Sequence, residues 1–221
     1  MLRYRLALFF CAMACTGIRL AAQAACDAVV RTADGKPVAE AVVSLIPLDG
    51  QTVPALTPPA APAARVSQIG QEYEPLVTPV RTGSPVEFPN LDTVQHHVYS
   101  VSKPKRFEIP LYDRGRTEIV VFDQPGIVTL GCNIHDWMLA YVVVLDTPWF
   151  AKTSGEGRAA LANLPPGRYR LDLWHPRLAK PLQREVVLTA GPAAATEEFT
   201  VTLRPDRRLR RAPAPGTGSA Y

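Results

Sequence analysis

From Ala28 onward, hydrophobic and polar residues alternate in short runs broken by glycine and proline. Alternation with a period of two is the signature of half-buried β-strands. The stretch AVVRTADGKPVAEAVVSLIPL (28–48) predicts two strands joined by a turn at Asp34-Gly35-Lys36-Pro37. Residues 65–146 hold a denser series: EYEPLVTPVRTG, SPVEFPN, HHVYSVS, RFEIPLYD, TEIVVFDQPG, IVTLGC and MLAYVVVLD. Turn residues recur about every eight to twelve positions, the rhythm of a sandwich or barrel. TSGEGRAALANLPPGRYRLDLWHP, REVVLTAG and EEFTVTL add a strand pair and further strands after Pro148. Past the first 24 residues, no long window keeps a helical period of about 3.6. The expected fold class is therefore all-β.

The two ends and one internal stretch break this pattern. Residues 1–24 begin with Arg3 and Arg5, continue in an apolar run from Leu6 to Ile18, and finish in Ala22-Gln23-Ala24. That order reads as a signal peptide, and the apolar run is too short for a permanent span. An N-terminal anchor is the alternative, opposed by Arg19 within the stretch; Cys26 raises lipidation, for which Gln23 is a poor upstream match. VPALTPPAAPAA (53–64) reads as a linker, and residues 204–221 as a solvated basic tail.

Composition sharpens this division. The chain has 221 residues, 47% hydrophobic and 20% charged, enough to bury a core and too balanced for a disordered polyelectrolyte. Its net charge of +4 resides at the ends. Arg3, Arg5 and Arg19 belong to the leader, and the tail holds five arginines against one aspartate, so the body between them is near −3. No basic stripe with interleaved aromatics survives there, which removes the support for a nucleic-acid partner. Without the leader, Cys26, Cys132 and Met138 are the sulfur residues left.

Candidate chemistry gathers at Cys132-Asn133-Ile134-His135-Asp136-Trp137-Met138, between two apolar runs. A thiolate, an imidazole and a thioether spaced by three residues form a soft donor set suited to copper. A mononuclear copper site of the cysteine–two-histidine type with a weak axial methionine needs one more imidazole. His96-His97 offers it from an upstream strand. Simpler readings also exist: half of a zinc site, a disulfide between Cys132 and Cys26, or Met138 as core filler. Trp137 is expected to pack against a neighbouring sandwich, the alternative being a surface aromatic beside the metal. His175 reads as a surface or satisfied structural histidine, and Asp136 as a solvated loop carboxylate.

Residues 65–146 resemble a cupredoxin of the plastocyanin/amicyanin kind. The resemblance rests on Phe88-Pro89-Asn90 leading to His96-His97-Val98, on Phe122-x-x-Pro125-Gly126-x-Val128, and on Cys132-x-x-His135-x-x-Met138. It implies a Greek-key β-sandwich, one type 1 copper as cofactor, His96, Cys132 and His135 as equatorial ligands, and Met138 as axial ligand. The family usually has Asn after the first histidine, tying the ligand loops together, where this chain has His97. Strand alternation sends His96 and His97 to opposite faces. His97 then bonds across the site, lies at the surface or makes transfer pH-sensitive.

The flanking segments 25–52 and 147–203, read together, resemble a carboxypeptidase regulatory-like domain, an Ig/transthyretin-like β-sandwich. The motifs are the DGKPVAEAVV turn and TSGEGRAALANLPPGRY. This implies that 65–146 is inserted in a loop of that sandwich; two sandwiches in series is the rival. The whole chain also resembles proteins labelled methylamine utilization proteins. Together these imply a periplasmic one-electron carrier rather than an enzyme. Its partners would be transient redox proteins, such as a c-type cytochrome or a dehydrogenase, docking on a small apolar patch around the edge of His135. The carrier would be a monomer with no membrane span after cleavage. The alternatives are a copper-trafficking protein, which would favour a Met- or His-rich exchangeable site, and a non-redox interaction module with a vestigial site.

Overall fold

The computed structural model describes residues 23–50, Val53 and residues 64–206. Most of the expected signal peptide, of the linker and of the basic tail lies outside the described residues. The described residues are all-β, and no helix among them is long and apolar enough to cross a membrane. The strands are β1 (Ala24–Thr32), β2 (Val42–Pro47), β3 (Ala64–Arg65), β4 (Ser67–Ile69), β5 (Glu72–Glu74) and β6 (Val77–Arg81). Then come β7 (Ser84–Pro89), β8 (His96–Ser102), β9 (Lys105–Tyr112), β10 (Thr117–Phe122), β11 (Gly126–Gly131) and β12 (Leu139–Leu145). Last are β13 (Phe150–Lys152), β14 (Arg158–Leu164), β15 (Gly167–Trp174), β16 (Leu182–Leu188) and β17 (Ala195–Val201).

Two separate cores organise these strands. The first lies between sheets β14-β1-β17 and β13-β2-β15-β16, so its strands come from both ends of the chain. Alternation does the sorting: Tyr169, Leu171 and Leu173 of β15 point inward, as do Phe199 and Val201 of β17. β1 and β2 are joined by the turn at Gly35 (φ 81°), yet they do not pair; β2 crosses to the opposite sheet. β14 and β15 do the same. Each sheet buries one face, so a connection that crosses the sandwich lets both strands contribute to a single core. Cys26 is fully buried in this core with a free thiol and is not bonded to Cys132.

The second core lies between β10-β7-β3 and β6-β12-β11-β8-β9. Phe88, Phe107 and Phe122 meet at its centre with ring centroids 5.9–6.5 Å apart. Strand β12 explains its unbroken apolar sequence, because both of its faces are covered. Ala140, Val142 and Val144 enter this core, while Tyr141, Val143 and Leu145 face Val42 and Trp174 of the first sandwich. Tyr141 and Trp174 meet edge-on at 5.6 Å. Polar groups finish the junction. The Val77 N–H on edge strand β6 donates to Glu40 (3.0 Å), and Lys152 donates to the Val77 carbonyl (2.9 Å) while pairing with Glu40. An edge strand's unpaired backbone groups are thus satisfied by a charged pair from the other sandwich.

Candidate metal centre

The site forms where strand ends of the second sandwich converge. β11 and β12 are paired up to Gly131 and Leu139, which closes the loop 132–138 between them. Gly131 also pairs with Tyr99 of β8, so Cys132 emerges beside the start of β8, where His96 lies. The close approach needs glycine: a Cβ at 131 would meet the Tyr99 ring at 2.9 Å. Within the loop, the Met138 N–H donates to the His135 carbonyl (3.0 Å), folding the loop back on itself.

His96, Cys132 and His135 come together with one potential ligand atom each, all within 4.8 Å of one another. The two imidazoles tilt against each other at 5.0 Å, and His135 Nδ1 is 3.7 Å from the Cys132 sulfur. His96 is fully buried, and its Nδ1 has no hydrogen-bond partner. Met138, 2% exposed, lies in the same apolar cluster as Cys132. A buried, unpartnered imidazole nitrogen beside a thiol and a second imidazole fits a metal that takes nitrogen and sulfur donors. Zinc and copper both belong to that class.

Local electrostatics prepares these donors. Burial alone would push the Cys132 thiol up, but the neighbouring His96 and the backbone N–H groups of His97, Ile134 and His135 outweigh it and hold the pKa below its ordinary value. Burial, reinforced by the charge of His96, lowers His135 and favours its neutral, ligand-competent form. His96 is pulled down by burial, but its interactions with Cys132 and Asp92 prevail and raise it.

Around them lies a layer that the sequence did not announce. The Tyr73 hydroxyl lies 2.9 Å from the His97 carbonyl and 3.0 Å from that of Gly131, joining the two ligand-bearing segments. Asp92 lies 3.0 Å from His96 Nε2. Asn90 shapes the intervening loop, donating to the carbonyls of Val94 and Tyr112 and accepting from the Asp92 N–H. The pair Asn90-x-Asp92 was a visible Asx-turn signal, but its meeting with His96 depends on loop closure. His97 turns to the other face, as alternation requires, and pairs with Glu108 at 2.9 Å beside Tyr99. Its backbone, rather than its side chain, reaches the cysteine sulfur. Trp137 departs from expectation. It packs within its own sandwich, 5.3 Å from the His135 ring, and donates to the Gln71 carbonyl. His175 lies away from the site, buried, accepting from the Arg177 N–H.

No protein-family model and no curated protein matches the chain. Among solved structures it is similar to a purple cupredoxin from Nitrosopumilus maritimus, at 24% identity and a TM-score of 0.34, over 37% of this chain and 99% of that one. It is also similar to a point mutant of amicyanin in its reduced Cu(I) form, at 24% identity and 0.36, over 42% and 97%. A copper-containing nitrite reductase from Thermus scotoductus matches at 25% identity and 0.37, over 45% of this chain and 27% of that one.

Proposed function

We propose that the chain is a mononuclear type 1 copper protein that carries single electrons between redox partners in the periplasm. His96, Cys132 and His135 would hold the copper, with Met138 as the fourth, thioether donor. The observation that carries this reading is the convergence of one thiol and two imidazoles, with the His96 Nδ1 buried and unpartnered. When bound, copper would supply a one-electron couple. The protein's part is to hold one donor at the start of β8 and two on the short loop closed by β11 and β12, so that little rearranges when the charge changes. Four protein donors complete the set, which favours a carrier over an enzyme needing an open position.

The surface beside the site suits a brief encounter. Ile134 is 49% exposed next to the half-buried His135, and Leu91 and Val94 are exposed on the loop leading to His96. A small apolar patch of this kind fits a transient redox partner, a c-type cytochrome or a dehydrogenase, docking on a monomer. The two-sandwich arrangement is then a copper domain inserted in a carboxypeptidase regulatory-like sandwich. Adding Cu(II) to the purified protein should give one bound copper, an intense visible thiolate-to-copper band and narrow hyperfine splitting. A colourless protein, or copper bound without the band, would overturn the proposal.

A further inference from the structure

We infer that the tip of the β4–β5 hairpin is a clamp that sets both histidines of the proposed site, through Asp92 for His96 and Trp137 for His135. The inference rests on the copper reading for its purpose, but its geometry stands in the protein without metal.

The hairpin has a two-residue tip, Gly70-Gln71, between the paired residues Ile69 and Glu72. Both tip residues have positive φ, 59° each, as the primed hairpin turns require. Gln71 is a poor choice for that conformation, which residues bearing a side chain disfavour. What the conformation yields is the direction of one residue's two backbone polar groups. The Gln71 N–H donates to Asp92 Oδ2 (2.6 Å), and the Gln71 carbonyl accepts from Trp137 Nε1 (2.9 Å). Asp92 belongs to the segment that leads to His96, and Trp137 to the loop that carries His135. One residue therefore ties the two ligand segments together.

Asp92 is fixed on both oxygens. Oδ2 takes the Gln71 and His96 bonds, and Oδ1 accepts from the Thr93 N–H (2.8 Å). A carboxylate can only accept, so His96 Nε2 must carry the proton of that 3.0 Å bond. The consequence is a chosen tautomer: Nδ1, the atom without a partner, presents its lone pair toward Cys132 and His135. A carboxylate behind a ligating histidine fixes ring orientation and makes the ligand more basic. On the other side, the Trp137 ring lies 5.3 Å from the His135 ring and restricts its tilt. Asp92 and Trp137 are thus positioning residues, and Gln71 acts through its backbone.

The test compares Asp92→Ala, Asp92→Asn and Trp137→Phe in the full chain, with near-UV circular dichroism confirming the fold of each. In metal-free protein, nitrogen-15 NMR should show His96 as the Nε2–H form with a slowly exchanging, downfield proton. Asp92→Ala should lose that proton, and Asp92→Asn should keep it, because the amide oxygen still accepts. Copper affinity should fall about 10–100-fold in Asp92→Ala and be largely rescued in Asp92→Asn. Trp137→Phe should leave the His96 signal unchanged and broaden that of His135. If the His96 proton and the copper affinity of Asp92→Ala match the wild type, the clamp is refuted while the copper reading stands. If wild-type protein shows the proton signature yet takes up no copper, the copper reading fails and the clamp's geometry survives.

Discussion

Each sandwich buries one cysteine, and the two sulfur atoms have opposite chemistry. Cys26 is enclosed at the first core by aliphatic neighbours, and burial together with the charges of Glu197 and Asp27 pushes its thiol up to about 11. Cys132 is almost as buried, yet its thiol is lowered, because His96 and three backbone N–H groups surround the sulfur. Depth is nearly the same in the two places. Polar neighbours decide the chemistry: without them a buried cysteine is a small hydrophobe, and with them its thiol gives up its proton more readily.

The hardest test of this contrast replaces each sulfur in turn. On the proposed function, Cys132→Ser removes the visible band entirely while the fold persists, as read by absorption and far-UV circular dichroism. Cys26→Ala leaves the band unchanged and costs roughly 1 kcal/mol of stability for the lost sulfur contacts. A band that survived Cys132→Ser, or vanished with Cys26→Ala, would reverse the assignment. A second test reads reactivity. In metal-free native protein at pH 7, a small alkylating reagent should modify Cys132 at least about 100-fold faster than Cys26, since only a small fraction of a high-pKa thiol is ionised. Bound copper should protect Cys132. Mass spectrometry of timed digests distinguishes the two sites, and equal rates would remove the contrast.

How much of this could be read from the chain alone differs between the same two regions. The loop 132–138 was legible because its chemistry is local: Cys132, His135 and Met138 follow one another at fixed spacing, and loop closure by β11 and β12 preserves it. His96 was legible only as one of an adjacent pair, since alternation separates two faces without naming the inner one. Asp92, Gln71 and Tyr73 were hidden for a different reason. Gln71 and Tyr73 reach the site from the β4–β5 hairpin, and Asp92 meets His96 only when the turn four residues before it closes, contacts that leave no periodic trace. The turns at Gly35 and at Pro165-Pro166-Gly167 were visible as turns, yet whether a turn pairs its strands or sends them to opposite sheets depends on the core they share. The doubly apolar β12 announced burial but not what covers its outer face, which proved to be Val42 and Trp174.

Alkaline titration sharpens the contrast through stability. Cys26 has a folded pKa of about 11 against an ordinary value of 9.0, so between those values the unfolded chain gives up a proton that the folded one retains. Its contribution is fully present below pH 9 and is lost as pH rises toward 11, with a slope of about 1.4 kcal/mol per pH unit at most. Denaturant midpoints measured across that range should fall for the wild type and fall less for Cys26→Ala. For metal-free Cys132 the sign reverses: a lowered pKa contributes stability above the ordinary value and loses it as pH falls. Parallel curves for wild type and Cys26→Ala would show that the first core does not resist ionisation of its thiol.

The smallest expected effect concerns the junction through which the two regions touch. Lys152 and Glu40 bind opposite polar groups of Val77 on edge strand β6, whose only sheet neighbour among the described residues, β12, starts just after Met138. Lys152→Met keeps much of the aliphatic stem but removes one donor and leaves Glu40 with the Val77 N–H and no cation beside it. The pair is partly solvated, so the loss should be about 1 kcal/mol or less, a drop of a few degrees in melting temperature. Because Val42, Val77, Val143 and the Tyr141–Trp174 contact remain, the visible band of the proposed copper form should not move. A shifted band would mean that the first sandwich braces the ligand loop through β6 and β12, coupling the two regions that the cysteines otherwise set apart.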